Sequence, residues 1–363
     1  MLLMRPINNL IQKIKQTRLG SAAGWLLKPR KHLDLIECYL KEQLQYPPSQ
    51  KQILWCFWDY CGFRFRYRGN LETDYFGAQL YRKSDFIRME SLAHAVRFSW
   101  RDSIQEKTFW KIFQDKREFY QAFSEFLHRK WMIVDETTSW ESFCSFISSC
   151  SGKVFVKSPL GMGGTGVQLW ILDSEKELRR LFDLCRSEQM VMEEPLIQCE
   201  ELWSFSESSV NTLRIITIID QYDKVHVARC ELRMGRHSSN VDNYCGGGLV
   251  AQVDVDSGVI FTTGRDKNGK EYIFHPDSGK QIVGFQIPDW SEYKTFACTL
   301  AKKYPGMRYV GWDIIKDKAG NFCVIEGNKD AGVGGLESGL LYGLKPLYDA
   351  LLEGNSRSTK QDK

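Results

Sequence analysis

Two apolar runs in the C-terminal third each end in an acid, and they constrain the fold more than any other feature of this chain. One closes as Gly311-Trp312-Asp313, the other as Val324-Ile325-Glu326-Gly327-Asn328. Between them Lys318-Ala319-Gly320-Asn321 reads as a hairpin turn. Side chains alternate along a strand, so Glu326 and Asn328 share a face, and folding back at the turn brings Asp313 to them. Two carboxylates and an amide carbonyl suit Mg²⁺, an ion that takes few protein ligands and completes its shell with phosphate and water. Taken alone, the cluster reads equally as a hairpin bearing ordinary surface acids.

A second stretch lies upstream. Lys153 to Lys157 is a short β-rich run, followed by Ser158-Pro159-Leu160-Gly161-Met162-Gly163-Gly164-Thr165-Gly166 and a further apolar run from Val167 to Leu172. A glycine-rich loop between two strands lets backbone N–H groups come close to a phosphate. Lys157, ending the first strand, adds a point charge there. The Gly-Lys-Ser/Thr ending of a Walker loop is absent, and a strand rather than a helix follows, unlike a Rossmann turn. A plain glycine turn is the competing reading.

Composition fits an intracellular enzyme. A chain of 363 residues buries a substantial core and is long enough for two or three subdomains. Its 43% hydrophobic and 26% charged content is ordinary for a globular protein. The 11 cysteines are scattered without zinc-knuckle spacing, and no secretory signal is evident, which favours free thiols in a reducing cytosol. No apolar run reaches membrane-spanning length. A net charge of +4 is too small to argue for nucleic acid.

The N-terminus is different. Arg5, Lys13, Lys15, Arg18, Lys28, Arg30 and Lys31 occur there without an acid, and Ile7, Leu10, Ile11 and Ile14 recur at helical spacing. Such a helix either packs its short apolar stripe on the body or lies weakly on an anionic membrane surface. The expected location is therefore cytoplasmic, with peripheral contact at the inner face of the membrane as the further option.

Periodicity predicts helices over Leu33–Leu44, Gln52–Phe63, Asp85–Trp100, Lys116–Leu127, Trp140–Ser149, Glu175–Ser187, Ser291–Lys303 and Ser338–Leu352. Strands are predicted over Lys153–Lys157, Val167–Leu172, Val191–Glu194, Thr212–Ile219, His226–Met234, Leu249–Val255, Val310–Ile315 and Phe322–Glu326. Trp55, Phe57, Trp58, Phe63, Phe65 and Tyr67 are read as core. The tail from Glu353 is read as disordered.

The ordered series of motifs resembles the ATP-grasp superfamily, most closely its sugar-transfer-associated branch in polysaccharide biosynthesis. It is carried by Asp115-Lys116, Lys157 with the glycine loop, Val191-Met192-Glu193-Glu194-Pro195-Leu196-Ile197, Ser209-Val210-Asn211-Thr212-Leu213-Arg214 and Leu232-Arg233-Met234-Gly235. Val241-Asp242-Asn243, Gly246-Gly247-Gly248, His275-Pro276-Asp277-Ser278-Gly279, Ile287-Pro288-Asp289-Trp290 and the two acidic motifs complete it. The match spans about residues 110 to 350. It implies an α+β fold in which two α/β subdomains clasp ATP behind a helical N-terminal region. The expected divisions are 1–110, a small subdomain 111–200, a large one 201–352 and a tail 353–363.

The resemblance also implies roles. Lys116 and Lys157 bind phosphate oxygens, with Gly161, Gly163 and Gly164 cradling them. Glu193, Glu194, Leu196 and Ile197 line the adenine slot, and Glu200 or Glu201 takes the ribose. Arg214 sits in the apolar run Leu213 to Ile219, where a charge needs a partner or a ligand; with Lys157 and Arg233 it is a catalytic candidate. Asp313, Glu326 and Asn328 are the expected ligands of Mg²⁺. The Asp242–Gly248 loop shapes the acceptor pocket or is a simple turn, and His275 is a proton shuttle or a turn histidine bonded to backbone.

The implied activity is an ATP- and Mg²⁺-dependent carboxylate–amine or carboxylate–thiol ligase working through an acyl phosphate, in polysaccharide or cell-surface glycan synthesis. Its partners would be a small carboxylate and an amine or sugar acceptor. The alternatives are a kinase-like transfer to a sugar hydroxyl and a nucleotide-binding module without catalysis.

Overall fold

A computed structural model of the chain describes residues 29–44, 46–161, 166–236, 242, 246–332, 337 and 340–354. The basic segment 1–28, Gly163, Gly164, Val241, Asn243 and the tail beyond 354 lie outside the described residues. Two compact units form. The first draws on residues 29–103, 265–271 and 332–354, the second on 104–264 and 272–331. Among the described residues no helix is long and apolar enough to cross a membrane.

The first unit is helical. Helix Pro29–Leu44 packs on helix Gln50–Tyr67. The second of these opens with a capping box, Ser49 and Gln52 each satisfying the other's backbone N–H. Their core holds Ile36, Leu40, Ile53, Phe57, Tyr60 and Phe63, joined by Tyr75 and Phe76. The aromatic-rich segment is only partly core, which corrects the sequence reading. Phe57 and Phe63 are buried, whereas Trp55, Trp58 and Phe65 are 54%, 63% and 41% exposed. A single helix turns one stripe inward, and these three lie off it.

The helix expected over Asp85–Trp100 is broken into Asp85–Glu90 and His94–Ile104. Buried acids far along the chain hold the break. Glu337 accepts from the Ser91 hydroxyl and the Leu92 N–H, and Asp74 accepts from the His94 N–H at 2.9 Å. The C-terminal helix occupies Lys345–Leu352; Ser338 and Gly339 lie outside the described residues.

The second unit contains two sheets. Strands β1 (Trp131–Ile133), β2 (Lys153–Lys157), β3 (Val167–Ile171) and β4 (Val191–Glu193) form an antiparallel sheet in the order β1-β4-β2-β3. Val154, Val156 and Met192 point to one face and pack with helices Trp140–Ser149 and Glu175–Glu188 through Phe143, Ile147, Leu181 and Phe182. Alternation then turns Phe155, Lys157 and Glu193 to the other face. Strand β1, three residues long, is not among the strands predicted from the sequence.

The larger sheet comprises β5 (Leu213–Ile219), β6 (Val225–Met234), β7 (Leu249–Val253), β8 (Gly264–Arg265), β9 (Glu271–Tyr272), β10 (Tyr309–Lys316) and β11 (Phe322–Asn328). Their order is β11-β10-β5-β6-β7-β8-β9. Leu213, Ile215, Cys230, Leu232, Ala251, Trp312, Ile314 and Val324 join a core with Trp290, Tyr293, Ala297 and Leu300 of helix Trp290–Lys302. The intervening residues therefore face the opposite way, and many are charged. The β10–β11 turn forms as its sequence predicts: Gly320 takes a φ of +94° and donates to the Asp317 carbonyl, while the Asp317 side chain accepts from the Asn321 N–H at 2.8 Å.

Candidate functional site

Strand register turns scattered charges into a row across the large sheet. Asp313 lies opposite Glu326 on one side and Arg214 on the other; Arg214 in turn lies opposite Glu231, and Glu231 opposite Gln252. Five neighbouring strands thus present Glu326, Asp313, Arg214, Glu231 and Gln252 on one face. Asn328, two residues beyond Glu326, joins that face opposite Gly311. A Cβ at Gly311 would lie 2.6 Å from that of Ala331 and 3.0 Å from Cδ of Arg214, so glycine leaves room for the Arg214 stem.

Arg214 binds Asp313 bidentately, through Nε and through Nη2 at 2.7 Å. Both are buried. Arg233 binds Glu231 at 2.9 Å and comes within 3.8 Å of Asp313. Burial would raise the Asp313 carboxyl, but the charges of Arg214 and Arg233 hold it below the ordinary value. Asp242 accepts from the Thr212 N–H at 2.8 Å and from its hydroxyl. Burial, with the Asp313 charge, pushes Asp242 up to about 6 against the pull of Thr212 and Arg233.

The small sheet contributes a second charged group. Lys157 is buried, 2.6 Å from Glu193 and donating to the Tyr120 hydroxyl at 2.9 Å. Arg129 holds the other Glu193 oxygen at 2.6 Å and reaches the Leu127 and Val324 carbonyls at 3.0 Å each. Tyr120 also donates to Glu193. Burial would raise Glu193, yet Arg129 and Lys157 override it and hold the carboxyl at about 2. Tyr120 and Arg129 were not singled out from the sequence. Tyr120 carried a faint signal, four residues after Lys116 on one helix face; Arg129, in His128-Arg129-Lys130, carried none.

Lys116, at the start of helix Lys116–Ala122, bridges the two groups. Its ammonium donates to the Gly161 carbonyl and lies 3.8 Å from Glu326. Burial lowers its pKa, as does the nearby charge of Lys157. Gly161 thus sits beside a lysine, and the loop beyond closes where Ser158 donates to the Gly166 carbonyl at 2.9 Å. Gly166 has a φ of +76°, and a Cβ there would stand 2.9 Å from that of Ser158.

The remaining expected residues lie on the connection between the sheets. Glu194 is 3.8 Å from the Lys130 ammonium. Leu196 is half-buried, Ile197 is 61% exposed, and the Ile197 carbonyl accepts from Lys318 at 2.8 Å. Glu200 is exposed in the first turn of helix Glu200–Trp203. Two family-pattern residues are fully committed to the fold. Asn211 donates to the Leu202 and Ser206 carbonyls and accepts from the Gly235 N–H. His275 is buried, its Nε2 2.8 Å from the Gly235 carbonyl while Nδ1 accepts from Asp277 and Ser278. That is the turn histidine rather than the shuttle.

Asp313, Glu326 and Asn328 offer oxygen donors of the kind Mg²⁺ takes. Arg214 occupies one acceptor position on each Asp313 oxygen, and a carboxylate oxygen has two. The Asn328 amide nitrogen is buried without a hydrogen bond, but as a donor it does not ligate a cation; only the Asn328 carbonyl oxygen belongs to the donor set. These residues fit the ion.

The sequence profile described as sugar-transfer associated ATP-grasp matches residues 96–347. No curated protein matches the chain. Among solved structures, the ADP complex of PurK, an N5-carboxyaminoimidazole ribonucleotide synthetase, is 10% identical at a TM-score of 0.45 and covers 71% of this chain and 57% of its own. The ADP complex of the N5-carboxyaminoimidazole synthetase from Staphylococcus aureus is 12% identical at 0.46, covering 70% and 55%. The ATP-grasp ligase PsnB with its minimal precursor is 18% identical at 0.41, covering 71% and 67%. The chain spans little more than half the length of the two synthetases.

Proposed function

The chain belongs to the sugar-transfer associated ATP-grasp family, and on that premise we propose that it is an ATP-dependent ligase that activates a carboxylate as an acyl phosphate. The observation that carries this reading is the register Glu326–Asp313–Arg214 across three strands, which sets two acids and a guanidinium side by side. Lys116 and Lys157 would screen phosphate charge from the small-sheet side. Leu196 and Ile197, on the exposed connection, would pack against the adenine.

Asp313, Glu326 and Asn328 would hold Mg²⁺, which supplies charge neutralisation for the β- and γ-phosphates. The chain's own residues orient the reaction. A carboxylate oxygen of the substrate attacks the γ-phosphorus, and the bond to the β-phosphate oxygen breaks with its electron pair leaving on ADP. Arg214, held in plane by Asp313, and Arg233, held by Glu231, would stabilise charge that builds during this transfer. An amine or thiol then attacks the acyl carbon; phosphate leaves with the C–O electron pair and the nucleophile sheds its proton. A carboxylated sugar, such as a uronic acid, is the substrate class the family's association with sugar transfer favours, in the synthesis of a polysaccharide.

The experiment supplies ATP, Mg²⁺, a panel of carboxylated sugars and hydroxylamine. A hydroxamate formed together with ADP supports the ligase. In a parallel reaction without hydroxylamine or any other amine, accumulation of a stable sugar phosphate ester refutes it in favour of kinase-like transfer.

A further inference from the structure

We propose that the N-terminal unit carries an anion-binding site on helix His94–Ile104, in which the Arg97 guanidinium takes a carboxylate or phosphate group. Helical spacing places His94, Arg97, Phe98 and Arg101 on one face. Phe98 is the platform. His94 meets its ring edge-on at 4.6 Å, and the guanidinium carbons of Arg97 and Arg101 lie 5.1 and 4.7 Å from its centroid. The two arginines differ in what they bind. Arg101 is paired with Asp102 through Nε and Nη2.

Arg97 is only 8% exposed, its Nε is wholly buried without a hydrogen bond, and no acid among the described residues pairs with it. The nearby Asp74 spends Oδ2 on the N–H groups of Asn70 and His94. Burial and the Arg97 charge depress the His94 pKa against the opposing pull of Asp74. A buried guanidinium without a partner is costly, and a bound anion would repay that cost. The planar fork of Arg97 matches a carboxylate or phosphate in a bidentate way. Gly332 lies beside this guanidinium, where a Cβ would stand 3.9 Å from Nη1.

This site does not depend on the nucleotide reading. The test is thermal melting of the full chain in anion-poor buffer with AMPPNP and Mg²⁺ in excess, so that phosphate sites elsewhere are filled. Inorganic phosphate and acetate are then added separately. At tenfold excess over its dissociation constant, the preferred anion should raise the wild-type midpoint by about 2 °C, and the arm that responds identifies the group. Arg97→Met should melt higher than wild type before any anion is added and should lose the shift. Arg97→Lys, which keeps the charge but not the fork, should fold and lose at least part of the shift. The proposal is overturned if neither anion moves the wild type, if Arg97→Met melts lower, or if either variant keeps the full shift.

Discussion

Glu193→Gln would strand two buried cations. The wild-type carboxylate lies between Arg129 and Lys157, each 2.6 Å away, and takes the Tyr120 hydroxyl as well. Its carboxyl is held at about 2 against an ordinary 4.5; at roughly 1.4 kcal/mol per pKa unit that is about 3 kcal/mol of stability at neutral pH. Loss of one partner from a buried pair costs roughly 3–5 kcal/mol, so the two estimates agree. The pH dependence follows from the sign. The folded pKa lies below the unfolded one, so the contribution is complete above the unfolded value and is lost as pH falls through 4.5 toward 2. Urea unfolding followed by tryptophan fluorescence should show the gap between wild type and variant narrowing by about 2 kcal/mol between roughly pH 7 and pH 3. A gap under about 1 kcal/mol at neutral pH, or one that acid leaves unchanged, would refute the reasoning.

Further outcomes follow from the same geometry. Arg214→Met and Asp313→Leu should each destabilise the chain by about 3 kcal/mol or more, while the double variant costs less than either single one; additive losses in chemical denaturation would contradict the buried pair. Lys116→Met should weaken binding of MgATP roughly ten- to a hundredfold, the worth of one charge-assisted hydrogen bond, and unchanged affinity by calorimetry would remove Lys116 from the site. Asp242 is held up at about 6 from 3.8, so its protonated form is the one the fold favours and its contribution is lost as pH rises through that window. Asp242→Asn should therefore gain on wild type between about pH 4 and pH 7, and a parallel pair of pH–stability curves would contradict this.

Eight of the eleven described strands and the β10–β11 hairpin were legible because short β-prone apolar runs and turn chemistry are local; β1, β8 and β9, of two or three residues each, were not. Gly320 needs its positive φ whatever surrounds it, and the apolar runs at Asp313 and Glu326 are short and joined by a turn, as paired strands are. From the hairpin the pairing of Asp313 with Glu326 followed directly. The break in Asp85–Trp100 was not legible, because the acids that hold it, Asp74 and Glu337, lie elsewhere in the chain. Lys157 was legible as a charge after an apolar strand, but its partners Glu193 and Tyr120 come together only through β2–β4 pairing and a helix packed near them. The exposed side of helix Gln50–Tyr67 was misread because an aromatic run carries no mark of which rings turn outward. Arg214 shows the opposite case. The cost of a charge in an apolar strand pointed to a partner or a ligand, and Asp313 is the partner that the fold supplies.

The central claim is that nucleotide and Mg²⁺ meet at the charged row of the large sheet. Titration of AMPPNP into the full chain by calorimetry, with and without Mg²⁺, on wild type and Glu326→Gln, tests it most directly. Glu326 is half-exposed and lies at the end of the row, so its amide variant should fold as the wild type does. The account predicts that Mg²⁺ tightens binding to the wild type and that Glu326→Gln loses most of that enhancement. No binding to the wild type, or an enhancement that Glu326→Gln leaves intact, would contradict it.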